Sequence, residues 1–308
     1  MKKSKLKDSV NNAFSIIKKS ALNFGSNRPM DLAGTTAYFA IFSIVPIIII
    51  IISVFGYLTG EASIRQKLFE ELNVLIGSNS TALLKDAIEN YQITENSTFG
   101  TILGVSFFLV SATTLFSSLQ NSINYIWRVQ VKSDLKTNIF KLLKDRVLSF
   151  GMILSLGFIL LVSLILDASI AFLKDFLATY FSPKFIVLAQ LTNVVLTLAI
   201  ITCVFAFIYR FLPDVKVKWS AAWFGAFLTA ILFTLGKFLI GLFIGSSNMG
   251  AVYGTAGAFI AILIWIFYAS LIFYFGVELS NQYSRFYKHN IKPLNFAVPF
   301  EINTLKKS

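Results

Sequence analysis

Few residues in this 308-residue chain have the types that do bond-making chemistry. There is one histidine, His289, in a polar tail, and one cysteine, Cys203, inside an apolar run. Metal centres built on His or Cys clusters are excluded by count. So is an intrachain disulfide. No phosphate loop, nucleophile elbow or paired-carboxylate spacing is present. What remains is a set of charged and polar residues in or beside long apolar runs. Lys237 interrupts the run 219–244, and Asp167 lies in the run 147–172. Arg210 and Glu278 stand at the ends of two others. Thr113, Ser117, Gln120 and Asn124 follow at i, i+4, i+7 and i+11, one line along a helix.

Residues of this kind handle charge in a low dielectric. A lysine costs roughly 2.5–3.5 kcal/mol at mid-bilayer on insertion scales, so Lys237 needs a reason to be there. Asp167 lies at a comparable depth. The two can pair and line an outward-facing polar cavity. Alternatively Lys237 snorkels to the outer interface and Asp167 ends its helix in water. Arg210 and Glu278 can pair in a polar inner vestibule, or serve separately as interface anchors.

The elements that position them are apolar helices. The stretch 32–58 carries no charge and is long enough to cross a hydrocarbon layer of about 30 Å. Its length and late start set it apart from a cleaved signal peptide. Pro46, near its middle, is tolerated in a membrane as a kink whose freed carbonyl finds a neighbour. Further spans are expected at 99–119, 147–172, 185–209, 219–244 and 251–279. The composition agrees: 56% hydrophobic residues, 14% charged and a mean hydropathy of +0.72. The fold class is therefore all-α integral membrane with six spans.

The chain divides into a cytosolic segment 1–30, a membrane domain 31–280 and a basic tail 281–308. In the first segment Val10, Phe14, Ile17, Ala21 and Phe24 make one apolar helix face beside lysines. It lies on an anionic leaflet or packs on the cytosolic ends of the bundle. Between spans 1 and 2, residues 61–97 read as two short amphipathic helices covering one mouth of the bundle. Ile64, Leu68, Leu72 and Leu75 stripe the first, and Ser80 is a candidate cap for the second.

The net charge of +12 raises the question of nucleic acid. Placement of the charges decides against it. With six spans, 21 of the 27 Lys and Arg fall in the connections that share a side with the termini. The positive-inside rule then puts both termini in the cytoplasm. Small residues mark helix contacts: Gly250, Gly254, Gly257 and Ala261 in one stripe, Gly225 with Thr229, and Gly241 with Gly245.

Two stretches resemble the YihY/BrkB family of bacterial inner-membrane proteins. One is Ala37, Tyr38, Phe42, Ser43 and Pro46 within the first span. The other is Tyr253-Gly254, Gly257-Ala258, Trp265, Tyr268 and the closing Gly276-x-Glu278-Leu279. The Arg210-Phe211-Leu212-Pro213 turn and the Asn124-Tyr125-Ile126-Trp127 element are also similar, so the likeness runs from about residue 14 to 286. The resemblance implies a six-span all-helical protein of the bacterial inner membrane. The family has carried a ribonuclease label, which the residues here do not support: hydrolysing RNA needs metal ligands or an acid–base set. It is also associated with transport of lipid or small solutes.

The expectation is thus a non-enzymatic membrane protein that moves an amphiphilic or small polar substrate among spans 1, 2, 5 and 6. Pro46, Thr113, Ser117, Lys237, Asp167, Arg210 and Glu278 are the candidate lining residues. No cofactor is implied. The partners are membrane lipids and a lipid or small-molecule substrate, with no nucleic acid, and a homo-oligomer is possible. The alternative from another class is an envelope scaffold that binds a partner without transport.

Overall fold

The computed structural model describes residues 2–94, 114–132, 184–246 and 255–301, with scattered residues between 147 and 165. The helices in order are α1 (Lys2–Ser26), α2 (Pro29–Thr59), α3 (Glu61–Ile76) and α4 (Ser78–Thr94). Then come α5, described over 114–127, and α6, to which the helical residues between 147 and 165 belong. α7 (Lys184–Phe211), α8 (Trp219–Ser246) and α9 (Thr255–Phe286) follow. Two short strands, β1 (Val129–Val131) and β2 (Ala297–Pro299), pair antiparallel.

Four described helices are long and apolar enough to cross a membrane: Pro29–Leu58, Val194–Phe211, Trp219–Ile240 and Ala256–Phe286. They agree with the expected spans 1, 4, 5 and 6. Most of the expected span 2 and much of span 3, including Thr113 and Asp167, lie outside the described residues. The outward faces are greasy. Tyr38 and Phe42 on α2, Phe207 on α7, and Trp223, Phe227 and Phe238 on α8 are all exposed. In water so much apolar surface would be an aggregation hazard, whereas lipid is its natural solvent.

α2 continues unbroken through Pro46, whose side chain is buried. It starts after a sharp break. Arg28 is left-handed (φ 54°) and forms an ion pair with Asp31 at 2.6 Å. Pro29 occupies the first turn, where its missing N–H would have had no helical partner. At the far end the chain reverses twice at positive φ, at Gly60 (88°) and Gly77 (80°), a conformation glycine adopts without penalty. α3 and α4 thereby fold back over that end of the bundle. Ile64, Leu68, Ile76, Leu84 and Ile88 join Ile48, Ile51, Ile52 and Phe55 of α2 and Ile262 and Trp265 of α9 in one core. Two short amphipathic helices were expected here, and two are found. Ser80 is not a cap: its hydroxyl donates to the Ala258 carbonyl at 3.0 Å and ties α4 to α9.

α7 packs on α8, α8 on α9, and α9 on α2. The α8–α9 crossing is close because of two glycines. A Cβ on Gly225 would collide with Ser280 Oγ and the Gly276 carbonyl. One on Gly276 would collide with Thr229 Oγ1 and the Tyr209 hydroxyl. The expected Gly225–Thr229 stripe is therefore a helix seam.

At the end opposite α3 and α4, the segment after α5, the α7–α8 turn and the tail meet. β1 follows α5 and pairs with β2 in the tail. Val215, in the α7–α8 turn, bridges to Pro293. α1 lies against α9, with Phe24 edge-on to Phe275 at 5.3 Å. Its buried face is Ile16 and Ser20, with buried Asn27 just past its end. The structure divides the expected stripe. Phe24 packs inward, but Val10 and Phe14 stay 62% and 67% exposed, because the docked face is centred on Ile16 and Ser20.

Candidate functional site

At the end covered by α3 and α4, Lys237 Nζ lies 2.7 Å from Glu71 Oε2. Lys67, one turn earlier on α3, reaches the other carboxylate oxygen at 3.3 Å. The fold brings them together by laying α3 across α8, where Ile64 and Leu68 pack near Ile240 in the same core. Burial pushes the Glu71 carboxyl up, but Lys237 and then Lys67 outweigh it and hold it below the ordinary carboxylate value. The partner that the structure gives Lys237 is thus Glu71, while Asp167, the partner expected for it, lies outside the described residues. Glu71 was missed because it sits among several acids in a segment of mixed charge. One signal was available: Glu71 falls on the apolar stripe Ile64–Leu68–Leu75 of its own helix. On the other side of α3, a groove of about 560 Å³ opens towards α4, lined by Arg65, Phe69, Glu70, Asn73 and Lys85 among others.

The other end is a polar layer. Glu278 is 1% exposed. Its carboxylate accepts hydrogen bonds from Asn27 Nδ2 at 3.0 Å and Gln282 Nε2 at 2.7 Å. Asn27 Oδ1 in turn accepts from Arg128 Nη2 at 2.7 Å. Asn281 donates to the Ile126 carbonyl at 3.0 Å and accepts from Arg285 Nε at 3.1 Å. Tyr274 joins the layer through its hydroxyl, which contacts Thr36 of α2. Of the two readings of Arg210 and Glu278, the pair is not formed: Arg210 stands over the Trp219 ring, 5.7 Å from its centroid. Glu278 is instead enclosed by amides from the α1–α2 junction and from its own helix.

The Gln120–Asn124 line finds an unexpected partner in Asp214, which is 0% exposed. Asn124 Nδ2 donates to Asp214 Oδ2 at 2.7 Å, and the Asp214 backbone N–H donates to Asn124 Oδ1 at 2.8 Å. Gln120 Nε2 donates to the Leu212 carbonyl at 3.1 Å and to Asp214 Oδ1 at 3.2 Å. The tail covers this turn, with the Leu294 N–H on the Asp214 carbonyl at 2.9 Å. Ser117, earlier on the same line, is half-buried. The expected inner vestibule is therefore a packed, hydrogen-bonded layer. Among the described residues, no three of His, Cys, Asp and Glu cluster closely enough to hold a metal ion.

A family model described as virulence factor BrkB matches residues 21–295, which takes in both ends of the bundle. The chain belongs to the BrkB family. BrkB membership confirms the likeness seen in the Ala37–Pro46 and Tyr253–Leu279 motifs. A UPF0761 membrane protein of Vibrio atlanticus is 28% identical over 256 residues, covering 80% of this chain and 75% of the relative. The UPF0761 membrane protein NTHI0384 of Haemophilus influenzae is 26% identical over 270 residues, covering 84% and 91%. One from Psychromonas ingrahamii is 26% identical over 262 residues, covering 83% of each. No solved structure matches. This BrkB-family chain is accordingly a multi-pass membrane protein.

Proposed function

We propose that this BrkB-family protein is a six-span protein of the bacterial inner membrane, both termini cytoplasmic, that moves an amphiphilic or small polar substrate. The path of the described helices supports six spans. α2 leads from the polar layer to the α3–α4 end, and α5 ends back at the polar layer, so the chain returns between 94 and 114–127. α7 also ends at the polar layer, which calls for another crossing between 132 and α7. The positive-inside count then favours the polar layer as the cytoplasmic side.

The observation that carries the transport reading is the difference between the two ends. The inner end is sealed by buried, mutually hydrogen-bonded side chains. The outer end holds a half-exposed ion pair, with side chains 34% exposed at Lys237 and 28% at Glu71. A charge kept at that depth is costly and typically marks a substrate or ion path. The arrangement has the form of a carrier closed towards the cytoplasm. No catalytic step or cofactor is part of this reading. The sealed inner layer equally favours a second reading, a rigid scaffold without flux.

The test is full-length protein in liposomes with a fluorescent phospholipid and a panel of small polar solutes. Transport predicts flux above protein-free vesicles that is lost in Lys237→Leu. No flux of any kind would replace transport with the scaffold reading.

A further inference from the structure

Among the described residues the acid paired with Lys237 is Glu71, and it is shared with Lys67, so Lys237 draws on only part of that counter-charge. Its side chain is 34% exposed, and helical spacing sets Phe238 one position round α8 from it, with the rest of the greasy outer face beyond. On that face Leu235, Phe238, Leu239 and Leu242 are between 55% and 66% exposed. An under-neutralised cation beside a strip of apolar side chains is the mirror image of an anionic amphiphile. A phosphate oxygen can take the ammonium while acyl chains lie on the leucines and Phe238. Glu71 need not be stranded when this happens, because Lys67 remains on its other oxygen at 3.3 Å.

We propose that Lys237 is the headgroup contact of a binding site for an anionic phospholipid, and that Glu71 is its built-in competitor. The lipid phosphate displaces the Glu71 carboxylate from Lys237, and Glu71 falls back on Lys67. The proposal rests on the proposed function only for the outer-leaflet position of α3. Binding is measured without flux, so a failure of transport leaves it standing, and its own failure leaves transport standing.

The competitor role gives a test with opposite signs. Glu71→Gln and Lys237→Gln break the same ion pair, so purely structural damage moves both variants the same way. A lipid site moves them apart. Full-length protein in dodecylmaltoside is titrated with fluorescent short-chain phosphatidylglycerol, and anisotropy is read. Glu71→Gln should bind about three- to fivefold tighter than wild type, the scale of a half-exposed ion pair. Lys237→Gln should bind about tenfold weaker, the scale of a lost charge-assisted hydrogen bond, approaching the level of phosphatidylcholine. Lys237→Arg should retain binding. Weakening or no change in Glu71→Gln, or wild-type binding in Lys237→Gln, would overturn the proposal. Inorganic phosphate competing as well as phosphatidylglycerol would overturn the lipid assignment and leave a soluble oxyanion.

Discussion

Gly276→Ala puts the α8–α9 seam under a defined load. The new methyl would collide with Thr229 Oγ1 and the Tyr209 hydroxyl. Neither can step aside freely. The Tyr209 hydroxyl is 2.9 Å from Thr229 Oγ1 and 2.8 Å from the Phe273 carbonyl, and Thr229 Oγ1 is 2.8 Å from the Gly225 carbonyl. Overpacking a close-packed site costs about 1–3 kcal/mol. One hydrogen bond lost in the adjustment adds about 1 kcal/mol. Alanine returns about 1 kcal/mol over glycine in a helix interior. The net is a destabilisation of about 1–3 kcal/mol. For detergent-solubilised protein that is a fall in melting temperature of about 2–6 °C. Gly34→Ala, where a Cβ meets nothing within 4 Å, should show the opposite sign, a gain of about 0.5–1 kcal/mol. Thr229→Ala removes the colliding oxygen. In a double-mutant cycle with Gly276→Ala it should therefore recover about 1 kcal/mol relative to additivity. A neutral Gly276→Ala, or an additive pair, would refute the close-seam argument.

Asp214→Ala leaves the buried Asn124 amide without its carboxylate and removes one acceptor of Gln120. Melting curves should show a loss of about 1–3 kcal/mol for the orphaned donor. The Lys237–Glu71 ion pair gives a pH signature. Because the folded Glu71 carboxyl is held below its unfolded value of 4.5, its stabilisation is present above that pH. It is lost as pH falls through the folded value. Wild type and Glu71→Gln should therefore converge in stability on acidification and diverge towards neutrality. Ending the chain after Tyr287 removes β2 and the bridge at Pro293. Hydrogen exchange of the 129–131 and 214–217 backbone should then rise, with the apolar spans unchanged.

Much of the helix plan was legible in the sequence, because long apolar runs report the solvent directly. The stretch 32–58 became Pro29–Thr59, 185–209 became Lys184–Phe211, and 219–244 became Trp219–Ser246. The last helix was read too short. It continues past Leu279 to Phe286, through Asn281, Gln282 and Arg285. Those residues look like a span leaving the membrane. In the fold they are helical and satisfied by neighbours that hydropathy does not see. The strands β1 and β2 were not foreseen, since three residues are too few to show a period of two. The site was legible only in part. Lys237 and Glu278 stood out because charge in an apolar run is expensive. Their partners did not, because Glu71 and Asn27 lie 166 and 251 residues away in the chain. Tertiary packing brings them together, and no local pattern encodes it. Arg210 and Glu278 shared an expected depth, but depth alone does not fix the azimuth on which a pair depends.

The account depends most on lipid surrounding the greasy helices, with the tail on the cytoplasmic side and α3–α4 on the other. The direct measurement is cysteine labelling in intact cells, in a Cys203→Ser background, using a membrane-impermeant maleimide. Asn79→Cys, at the exposed start of α4, should label from outside, and Glu301→Cys, exposed in the tail, should label only after permeabilisation. Labelling at position 301 from outside, or equal labelling of both in intact cells, would contradict the account.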